Sequence, residues 1–154
     1  MTEVARIGHL LEQSLEGAPY HGPSVVAVLR PVTRDLATRR VAPGVHTIWE
    51  LTTHVGSEFA YARSLIDGTA PPWTEGQTTW PAIVHTSEAA WQATVENLEE
   101  AHRVFQRFLT SVDDGALDRP AVRGRHSVRA VLYGLIQHNA YHAGQISLLT
   151  RQFS

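Results

Sequence analysis

Nine histidines, with no cysteine and no lysine, make imidazole the main chemical resource of this 154-residue chain. Without cysteine there are no disulfides, no thiolate nucleophile and no Cys-ligated zinc. All thirteen basic residues are arginine, which excludes a Schiff-base or P-loop lysine. The most suggestive spacing is His138-Asn-Ala-Tyr-His142. Two histidines four apart on a helix stand one turn above the other, which is how a single helix offers two ligands to one metal. Nine histidines in a chain of this length produce on the order of half such a pair by chance, so spacing alone is weak. Position strengthens it: His138 and His142 continue the line of Val128, Val131, Leu135, Ile146 and Leu149, inside an apolar stripe. A buried imidazole needs partners for its ring nitrogens, at a cost of about 1–3 kcal/mol for each group left unsatisfied. Either amides and carbonyls of a neighbouring helix satisfy the pair, or a metal does.

A metal needs a third ligand from elsewhere. His54, in Thr52-Thr-His54, lies at the edge of an apolar stripe and can face a neighbouring helix. Glu58, one turn on, reads as a rim carboxylate, or else as a partner to the ligands or a general base near the metal. His9 and His102 read as surface or interface residues within helices, His85 and His126 flank helix starts, and His46 serves local structure. His21, between Tyr20 and Gly22-Pro23, is a turn residue or a pocket wall.

Helices must position these groups. Val4, Ile7, Leu11 and Leu15 recur at helical spacing over residues 3–16, stopped by Gly17 and Pro19. Ser24 caps a stretch over 25–40 that reads as one or two short helices broken around Pro31. Thr47-Ile-Trp-Glu50 is a capping box, and the helix it opens runs to about Ile66, with Gly68 beyond. Residues 69–85 are loop-like. A long helix over 87–111 carries Trp91, Val95, Leu98, Phe105 and Leu109, then a polar loop over 115–126 leads to Ser127, cap of a final helix to Gln152. No period-2 run appears. The expected fold is all-α, a four-helix bundle in one domain over 1–154, because four amphipathic stripes are hidden only by facing one another.

Composition bounds the class. A 43% hydrophobic, 18% charged chain is neither disordered nor low-complexity, and a net charge of -2 gives no electrostatic drive toward nucleic acid. The N-terminal residues lack the pattern of a signal peptide, and no apolar run has the length of a membrane span, so a cytoplasmic protein with no membrane partner is expected.

His46-Thr-Ile-Trp-Glu-Leu-Thr-Thr-His54, followed downstream by Gln137-His-Asn-Ala-Tyr-His-Ala-Gly-Gln145, resembles the DinB/YfiT-like superfamily of metal-dependent enzymes. Tyr20-His-Gly-Pro-Ser24 and the Trp91 helix extend the resemblance over nearly the whole chain. It implies an up-down-down-up four-helix bundle with a divalent metal held by His54, His138 and His142. Zinc is the first expectation, with nickel, iron, copper or manganese as alternatives. Relatives of known activity include transferases and isomerases that use low-molecular-weight thiols such as mycothiol or bacillithiol.

Three neutral histidines with open positions are the layout of a catalytic metal. The leading expectation is a thiol-dependent S-transferase acting on a small electrophile, the sulfur coming from a cofactor thiol because the chain has none. Arg123 and Arg125 can receive that thiol's carboxylate or belong to a solvated turn, and His21 is a further candidate for the thiol pocket. The alternatives are a metal-dependent hydrolase of a small ester or amide, and a non-enzymatic metal- or ligand-binding bundle. Asn139 stands where a zincin has glutamate, which argues against a metalloprotease. Homodimerisation is a further expectation, with Trp73, Trp80 and Trp91 as anchors unless they are core or pocket wall.

Overall fold

The computed structural model describes residues 1–71, 78–122 and 125–153. Among these, six α-helices form: α1 (Glu3–Leu15), α2 (Val25–Leu29), α3 (Arg34–Ala37), α4 (Ile48–Asp67), α5 (Glu88–Leu109) and α6 (Val128–Gln152). No described helix is long and apolar enough to cross a membrane.

Each helix begins where its sequence offers a cap. Thr2, Thr33, Thr47, Ser87 and Ser127 all accept a backbone N–H from the first turn of the helix that follows. At Thr47 the capping box is complete, since the Glu50 carboxylate accepts the Thr47 backbone N–H at 2.8 Å. Gly68 ends α4 with φ of 86°, a left-handed conformation that glycine adopts without penalty. Ser24 takes the backbone position of a cap for α2, but its buried hydroxyl has no partner among the described residues. Thr47→Ala should cost about 1 kcal/mol. The melting temperature should fall by about 2–4 °C, measurable by circular dichroism.

Helices α1 and α4 each pack against both α5 and α6, giving a helical bundle. Phe59 of α4 meets Phe105 of α5 with ring centroids 5.6 Å apart. The indole of Trp49 donates to Thr94 and that of Trp91 to the Val32 carbonyl, so the two central tryptophans hold α4, α5 and the α2–α3 segment together. Trp91 is core, not a surface anchor. Trp73 lies outside the described residues.

Two expectations about burial need correction. His102, read from the sequence as a surface or interface residue, is buried at 3% exposure. It sits one turn from both Leu98 and Phe105, inside the α5 stripe, with its Nδ1 3.3 Å from Glu16 and its Nε2 3.0 Å from the Gln106 amide nitrogen. On α6 the buried line runs through Leu132 rather than Val131, and it includes Asn139, whose amide donates to Ser14 Oγ of α1 at 2.9 Å. That contact turns Asn139 toward α1 and gives the buried amide a structural role.

Candidate metal centre

The expected trio comes together between α4 and α6. One ring nitrogen from each of His54, His138 and His142 lies within 4.8 Å of the others. His138 Nε2 is 3.0 Å from His54 Nε2 and 3.0 Å from His142 Nε2. Tetrahedral zinc, with Zn–N of about 2.0–2.1 Å, sets its nitrogens about 3.3 Å apart, close to this spacing. His54 and His142 are buried and His138 is half-buried.

The far sides of the rings decide where the protons are. His54 Nδ1 lies 2.8 Å from the Thr79 carbonyl oxygen, which can only accept, so Nδ1 carries the proton and Nε2 presents a lone pair. His142 Nδ1 lies 2.6 Å from Gln145 Oε1, an acceptor whose amide nitrogen in turn donates to the Tyr141 hydroxyl, with the same result. Two lone pairs thus point at His138 Nε2, while His138 Nδ1 is buried with no partner among the described residues. A single N–H on His138 Nε2 could serve one of them and would leave the other facing it unpaired. A cation at the convergence satisfies all three, and the donor set, neutral imidazoles oriented by groups behind them, suits a divalent ion.

Electrostatics agree with neutral rings. Burial, reinforced by His142 and His54, pushes the His138 pKa down to about 3. Burial also lowers that of His142, against an opposing hydrogen bond to Gln145. His138 therefore stands ready as a neutral donor well below physiological pH, and His142 is displaced in the same direction.

Glu58 is half-buried, and burial raises its carboxyl above the ordinary range against the opposing pull of His54 and Thr79. Its Oε1 is 3.8 Å from His54 Nδ1, on the side of the ring away from the convergence. The two candidates for the thiol pocket lie elsewhere. Arg125 is exposed and lines a cavity of about 780 Å³ with Tyr61, Leu65, Val122, His126 and Val131, whose wall includes none of the three histidines. His21 is exposed beside Ala140, Gly144 and Ser147, on a different face of α6 from His138 and His142. Arg123 lies outside the described residues.

Thr79 and Gln145 carry no functional expectation from the sequence, and Trp80 reads there as a dimer anchor, core or pocket wall rather than as a partner of His54. Thr79 and Trp80 come from the loop-like segment over 69–85, and the Trp80 indole stacks on His54 with ring centroids 3.9 Å apart. Gln145 follows His142 by one turn, a spacing that allows the contact it makes. The Trp-Pro pair at 80–81 marked a turn but gave no sign of what it would cover.

No curated protein and no solved structure matches the chain. The sequence does match the profile of the DinB superfamily over residues 23–146, a stretch that holds His54, Trp80, His138 and His142, and the chain therefore belongs to the DinB superfamily.

Proposed function

We propose that this protein is a divalent-metal-dependent enzyme that transfers the sulfur of a low-molecular-weight thiol to a small electrophile. The observation that carries the reading is the convergence of three Nε2 atoms, two of them fixed as lone-pair donors by Thr79 and Gln145. His54, His138 and His142 would hold the ion, with zinc the first choice and nickel, iron or manganese as alternatives. Held by three neutral imidazoles, such an ion supplies Lewis acidity strong enough to ionise a thiol or a water near neutral pH.

The chain's own residues do the rest. Thr79 and Gln145 keep the Nδ1 protons of His54 and His142 in place, and Trp80 covers one face of His54. Glu58, behind His54, strengthens that ring as a donor by placing a carboxylate near its Nδ1 proton. In the reaction, a bond forms between the thiol sulfur and an electrophilic carbon, that carbon loses its leaving group, and the thiol proton goes to solvent or buffer base. The sulfur must come from a co-substrate because the chain has no cysteine.

The up-down-down-up helix order of the DinB bundle belongs to this proposal. Supporting it are the meetings of Trp49 with Thr94 and Phe59 with Phe105, which run in register along α4 and α5. Those of Gly8 with Gln106 and of Glu16 with His102 run counter to each other along α1 and α5.

Hydrolysis of a small ester or amide is the second reading, because an ion held by the same three histidines would ionise a water as readily as a thiol. One assay separates them. Zinc-loaded protein should consume monobromobimane faster in the presence of a small thiol than thiol alone does, and chelator-stripped protein should not. Thiol-independent cleavage of activated esters would replace transfer with hydrolysis, and neither activity in fully loaded protein would leave a binding module.

A further inference from the structure

The three ligand rings are not held alike. His142 is oriented within its own helix by Gln145, one turn away. His54 instead depends on a loop more than twenty residues further along the chain. Its Nδ1 proton is taken by the Thr79 carbonyl, which also accepts the Ser57 hydroxyl at 3.1 Å. A hydrogen bond to one edge fixes where that edge lies but leaves the ring free to roll about the bond. The roll is stopped by Trp80, whose indole lies 3.9 Å from the His54 ring at an interplanar angle of 10°.

Trp80 is itself held from outside. His46 stacks on its other face at 3.6 Å and 5°, so the indole is the middle layer of three flat rings. His46 is anchored in turn: its Nδ1 lies 3.2 Å from Glu50, the capping-box residue of α4, and Glu50 is bound by Arg40 at 2.6 Å. The column thus starts on the first turn of α4, leaves the helix through His46, and returns through Trp80 to His54, one turn further along the same helix. A residue that only filled the core would not need aligned aromatic layers on both faces.

We propose that Trp80 is a positioning residue for the metal centre. Clamped between His46 and His54, its indole sets the plane of the His54 ring and so brings Nε2 to the point where His138 and His142 converge. This rests on the reading of the three histidines as metal ligands. His46 acts one step further out, as the backing that keeps the indole seated.

The test is metal binding rather than turnover. Wild type and the W80F, W80L and H46A variants are titrated with Zn2+ against a chromophoric chelator and loaded with Co2+ for its visible spectrum. Circular dichroism and melting of the metal-free proteins accompany both. Loss of a group that orients a ligand typically weakens metal binding about 10–100-fold, and W80L should fall in that range with altered Co2+ bands. W80F keeps a flat face and should stay within about threefold of wild type, while H46A should lose affinity by about 3–10-fold. A purely structural Trp80 would lower the melting temperature of W80L without changing the Co2+ spectrum. Folded W80L that binds Zn2+ like wild type, with the same Co2+ bands, overturns the proposal. If W80L does not fold, H46A decides, since it leaves Trp80 in place and removes a residue at the surface: unchanged affinity there overturns it equally. Wild type that binds no Zn2+ at all removes the metal reading and this inference together, whereas wild-type binding with unaffected variants removes only the inference.

Discussion

His138→Ala should abolish stoichiometric metal binding. His138 Nε2 sits between the other two ring nitrogens at 3.0 Å from each, so its loss removes the centre of the donor set. His54 and His142 are left as a pair, and two imidazoles seldom retain an ion against a competing chelator. Metal analysis after desalting should find about one equivalent on wild type and close to none on the variant. Stability gives a second readout. An ion present at 100 times its dissociation constant stabilises the native state by about 2.7 kcal/mol. For a domain of this size that raises the melting temperature by about 5–10 °C. Wild type should show this rise on adding Zn2+ and the variant should not. A full equivalent on His138→Ala would show that the ligands were wrongly assigned.

Acid should destabilise the metal-free protein well before its carboxylates protonate. Folding lowers the His138 pKa from 6.5 to about 3, and burial moves His142 and His102 in the same direction. Between about pH 6.5 and 3 the unfolded chain therefore binds protons that the folded chain refuses, so stability rises with pH across this window. The neutral rings cost nothing above it, and the penalty grows as pH falls through the unfolded value until it levels off at the folded one. A shift this large on a fully shielded ring would be worth several kcal/mol, but His138 is only half-buried and partly screened. A loss on the order of 2 kcal/mol between pH 7 and 4 is therefore the magnitude to look for. Urea unfolding of metal-free wild type at the two pH values measures it. His138→Ala should flatten the profile in part, His142 and His102 supplying the remainder. Equal wild-type stability at both pH values would mean that these rings are hydrated in the folded state.

The helices were legible because their signals are local. Thr47 with Glu50, Ser127 before Val128, and Gly68 after Asp67 each depend on neighbours within one turn, and each appears where the spacing puts it. The convergence of His54 with His138 and His142 was legible for a related reason, since each histidine lies on or beside an apolar stripe that must face another helix. The pairing of Trp80 with His54 was beyond reach. Its partner His54 lies on a helix completed before the loop begins, and no periodicity links a loop residue to the helix it folds back upon. His102 was misjudged for a different reason. Its polar type suggests the surface, whereas its register, between Leu98 and Phe105, puts it on the buried side of α5. Arg125 and His21 each read as a thiol-pocket group or a turn residue, and no local pattern separates the two; both lie on surfaces away from the three histidines.

The ring nitrogens of His54 and His138 meet although 84 residues separate them in the chain, and the whole of α5 lies in between. A bond through that point would act as a reversible staple, closing a long loop and stripping conformations from the unfolded ensemble much as a cross-link does. Amide protons in the middle of α4 and α6 should then exchange with deuterium more slowly once the staple is made, and those of α5 with them, though α5 supplies no ligand. Such a pattern would make the ion part of the architecture as well as the chemistry.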